Sequence, residues 1–311
     1  MRSRTRHGRL LASIVAAGLL LAGCGSGPSQ AGAAAIVGDT RIPVTDVQSW
    51  FTELFERQPD IKPQAREQGA FDDLGRQLAS QLVRQELIDR AAREERLTVT
   101  DQQVAARVDE LGGPEAATEG MIYGPREAGE MVRSQLLTTE LGRKYIDRLA
   151  ITFDLTQAST RREAEEKARR MARGPQEAAA LVVEDKAAGL LAGADQRARP
   201  VDTLELAATT PLFGAEPGTV MAFERTPNSG QWLVVRIKDR RVDPAAPAQL
   251  ANGADDRVLQ QFGMHLLGAT ADRAGVQLSP RYGVWDPVGL AAVPSEGETT
   301  GFRFQGGAPQ S

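Results

Sequence analysis

The sequence predicts an α+β protein. A mostly helical domain is completed by a returning C-terminal helix, and a small α+β domain is inserted between the two. Three observations predict this. Apolar residues recur at helical spacing through most of residues 44–150. Over 151–241 the texture changes to a strand, two helices and a pair of strands. Residues 252–274 then form one more amphipathic helix with no local partner for its apolar face.

The elements follow in order. Ala35-Ile36-Val37 and Arg41-Ile42 flank Gly38-Asp39-Thr40 and predict a β-hairpin closed by Pro43. Thr45 with Gln48 has the spacing of a capping box, and Val47, Trp50, Phe51, Leu54 and Phe55 follow at helical spacing. Pro59 and Pro63 close that segment. The longest helix is predicted over 69–96, with Phe71, Leu74, Leu78, Leu82, Leu87, Ile88 and Ala91 on one face. Thr100 and Gln103 form a second capping box, with Val99 and Val104 as a staple. Gly112-Gly113-Pro114 ends that helix, and another is predicted over 126–150.

The alternation in Ile151-Thr152-Phe153-Asp154-Leu155 predicts a strand. Thr160 and Glu163 cap a helix that runs to Met171, and a second helix is predicted over 176–191. Residues 201–206 predict a short strand or turn. Strands at 219–223 and 232–237 are joined by the loop Thr226-Pro227-Asn228-Ser229-Gly230. Pro244 and Pro247 mark a linker before the helix at 252–274, and 275–287 reads as extended chain. The tail at 288–311 is rich in Gly, Ser, Glu and Pro and predicts disorder.

The N-terminus carries its own signal. Arg2, Arg4, Arg6 and Arg9 precede an apolar run from Leu10 to Leu21, which is short for a membrane span. Leu21-Ala22-Gly23-Cys24 follows, and Cys24 is the only cysteine. Residues 1–23 thus read as a signal peptide and 24–34 as a flexible tether. The motif resembles the lipobox of bacterial lipoproteins. That resemblance implies lipidation of Cys24, cleavage just before it, and a protein anchored to a bilayer at the outer face of the cell membrane. An ordinary signal peptide with a chance cysteine is the alternative. Loss of four leader arginines from the 37 basic residues leaves 33 against 41 acids, a formal charge near −8. An acidic chain without a basic cluster argues against nucleic acid as a partner.

The order of elements is similar to that of the SurA/PrsA family of extracytoplasmic foldases. Ala34-Ala35-Ile36-Val37-Gly38-Asp39, then Ile42-Pro43-Val44 and an aromatic helix, resembles the start of the SurA N-terminal domain. Pro217-Gly218-Thr219-Val220 with Trp232-Leu233-Val234-Val235-Arg236-Ile237 is similar to the closing strands of a parvulin domain. Pro280-Arg281-Tyr282-Gly283 with Trp285-Asp286 is similar to the end of actinobacterial lipoproteins of this group. The resemblance implies a chaperone domain at 35–150, a degenerate parvulin-like domain at 151–241, and a returning segment at 242–287. It also implies unfolded or exported polypeptides as partners.

Parvulin chemistry places paired histidines with a cysteine or aspartate around the prolyl bond. Residues 151–241 contain no His and no Cys, so no catalytic residue carries over. Beyond the leader the one histidine is His265, too little for a transition-metal site or for Ser-His or Cys-His catalysis. No cofactor or metal is expected. Trp50, Phe51 and Phe55 are candidate client-binding residues, as are Met121, Tyr123 and Met131, because methionine suits adaptable surfaces. The same residues also fit a core, which is the commoner place for three such aromatic residues. Three functions are open: a lipid-anchored chaperone, an active prolyl isomerase, or an accessory lipoprotein with one dedicated partner. Oligomeric state is not legible.

Overall fold

The computed structural model describes residues 31–226, 229–243 and 254–305. The leader, Cys24 and most of the tether lie outside them. β1 (Ala33–Val37) and β2 (Thr40–Pro43) form the hairpin, with Val37 opposite Thr40 across a two-residue turn. Gly38 sits there at φ +61°, a conformation open to glycine at no steric cost. β1 starts two residues before the expected boundary and is buried along its whole length. It pairs on its other edge with β7 (Val276–Leu278), so the extended C-terminal chain returns to the hairpin.

α1 spans Val44–Arg57. The expected capping box at Thr45 does not form. Pro43 holds an extended conformation at the N-cap, so the helix begins at Val44 and Thr45 lies inside its first turn. α2 (Ile61–Glu67) takes Pro63 into its first turn, where a missing N–H costs nothing. α3 spans Phe71–Glu95, about 37 Å of helix, and ends at Arg96 in the left-handed region. α4 (Asp101–Glu110) has the reciprocal Thr100–Gln103 capping box. α5 (Pro114–Ala117) is a single turn, and α6 spans Ala128–Tyr145.

β3 (Leu149–Ala158) starts earlier and runs longer than expected, claiming residues read as the end of a helix. Its neighbours are α7 (Arg161–Ala172), capped by Thr160, and α8 (Pro175–Ala187). β4 (Ala192–Ala198) has a polar composition and pairs antiparallel with β3. α9 (Leu204–Thr209) replaces the strand or turn expected at 201–206. β5 (Val220–Glu224) and β6 (Trp232–Val242) complete the central hairpin, and α10 spans Asp256–Ala274.

The tail is the main correction. Residues 288–304 are folded, not disordered, while 306–311 lie outside the described residues. β8 (Val284–Asp286) pairs with β9 (Ala291–Val293), and β10 (Gly301–Phe304) pairs with β5. The larger sheet is antiparallel throughout, in the order β10-β5-β6-β3-β4. Asp286 is fully buried and accepts from the amides of Val288, Gly289 and Thr300, which ties the tail at both ends.

The sheet is covered on both faces. Ala158, Val220, Ala222, Trp232 and Val234 pack against Ala164, Ala168 and Met171 of α7 and Leu181 of α8. Ile151, Phe153, Met221, Phe223 and Ile237 face the other way. They join a core that runs through Phe213, Phe262 and Leu267 to Leu87, Ile146 and Val37. α10 thus completes the helical part and seats the sheet on it. It crosses α6 closely at Gly142 and Gly263. A Cβ on Gly142 would strike the Leu259 carbonyl, and one on Gly263 the Thr138 carbonyl.

Candidate functional site

α1 places its aromatic residues on two sides of one ridge. Leu54 is buried, whereas Trp50, Phe51 and Phe55 are only half-buried. A residue pair four apart on a helix shares a face, so Phe51 and Phe55 lie together with ring centres 5.5 Å apart. Phe55 meets Phe71 of α3 edge-on at 5.8 Å. These rings, with Gly75 and Tyr282, line an open recess of about 220 Å³. A Cβ on Gly75 would meet Tyr282 and Phe51 at ordinary van der Waals distance, 3.5–3.7 Å, so the recess leaves room for one.

Trp50 points to the other side and meets Tyr123 edge-on at 5.5 Å. Tyr123 belongs to a second recess, of about 170 Å³, between α3, α6 and α10. Met121, Met131 and Met264 line it together with Ile88, Arg84 and three glutamines, Gln81, Gln135 and Gln260. Met121 is exposed. Met131 is buried and packs mainly with Val104, Val108 and Val132, so it forms the recess floor more than its rim. Burial pushes the Tyr123 phenol up to about 12, so it stays protonated at any physiological pH.

The six candidate residues therefore form a belt in two parts, with Phe51 and Phe55 in the first recess, Met121, Tyr123 and Met131 in the second, and Trp50 of α1 reaching the second through Tyr123. Phe71, Tyr282, Met264 and Arg84 complete it and were not singled out in the sequence. Phe71 reads as core by its helical spacing and Arg84 as a polar helix position, and only the packing of α10 on α6 and α3 gathers Met264 and Arg84 into one recess. Among the described residues no helix is long and apolar enough to cross a membrane, and no cluster of metal-ligating side chains occurs.

The inserted sheet carries different chemistry. On β3, Asp154 is buried, accepts from the Asp195 amide at 2.9 Å, and lies 3.5 Å from the Lys238 ammonium. Thr156 is fully buried and bonds Asp185, which Lys167 neutralises at 2.9 Å. Both groups are satisfied in place, as buried polar groups must be. His265 lies on α10 with Nε2 3.1 Å from the Ala208 carbonyl. Burial lowers its pKa and that carbonyl partly offsets it, which marks a neutral packing residue.

Comparison with known proteins accords with the N-terminal half. Residues 1–112 match the family model described as SurA-like N-terminal domain. No curated protein matches the chain. Among solved structures the chain is similar to the foldase protein PrsA from Lactococcus lactis, at 12% identity over 79% of this chain and 94% of that one, with a TM-score of 0.29. It is also similar to the foldase protein PrsA from Streptococcus pneumoniae, at 13% identity over 78% and 94% of the two chains, with a TM-score of 0.25. Residues 1–112 thus carry a SurA-like N-terminal domain.

Proposed function

We propose that this protein is an extracytoplasmic, membrane-anchored chaperone that binds unfolded exported polypeptides and assists their folding. The observation that carries this reading is the belt. Aromatic and methionine side chains line two open recesses, on a chain with a SurA-like N-terminal domain. Such a surface takes extended apolar segments with little sequence preference. We assign 35–150 with 242–287 to the chaperone domain and 151–241 to a degenerate parvulin-like domain that contributes shape, not catalysis. The lack of His and Cys in 151–241 supports that last assignment over an active prolyl isomerase.

Replacing Phe51, Phe55 and Met121 together by serine should leave the fold standing, because all three are partly exposed. Suppression of aggregation of a chemically denatured test protein should fall several-fold. Light scattering reads this directly, and a triple variant as protective as the parent would remove the belt from the account.

Anchoring rests on the lipobox-like leader. Two acyl chains, at about 0.8 kcal/mol per buried methylene, would hold the protein on a bilayer. A Cys24→Ala form should appear uncleaved or in the soluble fraction. Full processing and unchanged membrane recovery on fractionation would contradict lipidation at that residue.

A further inference from the structure

The methionine-lined recess holds a cation without a counter-ion. Arg84, on α3, is half-buried against α6 and the returning tail, and burial pulls its pKa down with only Tyr123 opposing. Its guanidinium has five N–H donors. Two are engaged, both weakly: one donates to Gln81 Oε1 at 3.3 Å and one to the Leu290 carbonyl at 3.5 Å. No described carboxylate lies within 4.0 Å of it. Arg303 is the contrast. At 3% side-chain exposure it is paired with Asp272 at 2.5 Å. A desolvated guanidinium normally has such a partner, because burying an unpaired charge is expensive.

Resting on the chaperone reading above, we infer that Arg84 receives the side-chain carboxylate of an acidic residue set in an apolar stretch of the bound polypeptide. The recess has the size and lining for this. At about 170 Å³ it takes one side chain and is smaller than a cofactor site. Met121, Met264 and Ile88 cover the methylenes and flanking apolar groups, and the carboxylate completes the empty side of the guanidinium fork. Gln81, Gln135 and Gln260 ring the site with amides that can bond a peptide backbone without adding charge. The Arg84 side of the belt thus selects acidic–apolar segments.

The test uses a fluorescein-labelled peptide of alternating leucine and serine, acetylated and amidated, with one central glutamate, and its glutamine twin. Fluorescence anisotropy with the full mature chain should show the glutamate peptide bound about tenfold more tightly at low salt, with the preference shrinking as salt rises. Arg84→Met keeps the apolar stem and should bind both peptides as the parent binds the glutamine twin. Should that variant not fold, the salt-dependent preference of the parent still decides. Equal binding of the twins by the parent overturns the carboxylate site and leaves the belt intact, whereas binding of neither peptide overturns both readings. A preference that survives in Arg84→Met belongs to another cation and overturns the assignment. One that appears only after removal of residues 306–311 would put the chain's own tail in the recess and overturn it equally.

Discussion

A chain ending at Arg241 is expected not to keep residues 31–150 folded. It loses α10, whose Leu259, Phe262, Leu266 and Leu267 are all nearly fully buried. Each such side chain stabilises by about 1.5–3 kcal/mol, roughly 6–12 kcal/mol together. That is comparable with the whole net stability of a domain, about 5–15 kcal/mol. The truncation also strips β7 from the hairpin and exposes the groove at Gly142 that only a bare Gly263 can fill. Far-UV circular dichroism and urea titration should report a largely unfolded or weakly cooperative chain. A cooperative melt at the parent's Tm would mean that the helices before 150 form a self-sufficient core.

Arg303→Ala is expected to cost about 3–5 kcal/mol at neutral pH, far more than an ordinary surface substitution. Arg303 and Asp272 are almost enclosed, at 3% and 12% side-chain exposure, and Arg303 also donates to the Gly214 carbonyl at 2.8 Å. Removing the arginine leaves Asp272 buried without its cation. Desolvation already raises the Asp272 pKa and Arg303 opposes this, so the variant should raise it further. A folded-state pKa above the unfolded value means that the folded chain holds the extra proton. The deficit should therefore shrink as pH falls from 7 toward about 5. A double change of Arg303→Met with Asp272→Leu should recover most of the loss. A single variant with unchanged Tm at neutral pH would show that the tail does not depend on this pair.

Much of the architecture is legible in the residues, for local reasons. The Thr100 and Thr160 caps and the Gly38 turn rest on interactions a few residues apart, the β5–β6 pair on a short connecting loop, and the amphipathic face of α10 on its own helical spacing. Composition misleads in the tail. Its Gly, Ser, Glu and Pro suggest an unfolded segment, yet Phe302 and Phe304 alternate with Arg303 across the edge of the sheet. Phe302 and Phe304 pack on the α7 side of the sheet, and Arg161 stacks on Phe302 at 4.5 Å. Two apolar residues around a cation are a strand signal too short to outweigh the surrounding polarity. β4 fails for the same reason. Ala192–Ala198 carries Asp, Gln and Arg because it is an exposed edge strand, and only its ladder with β3 makes it a strand. The candidate site is legible as a list of residue types but not as a surface. Trp50 and Tyr123 are brought into contact by tertiary packing, and Arg84 reads as one more polar position on a long helix.

The central claim is that the belt is where an unfolded chain binds, and hydrogen exchange with and without a permanently unfolded client tests it most directly. The account predicts slowed exchange in α1, in residues 121–127 and on the α3 and α10 segments that line the two recesses, with α7 and α8 unchanged. Protection confined to α7 and α8, or none at saturating client, would contradict it.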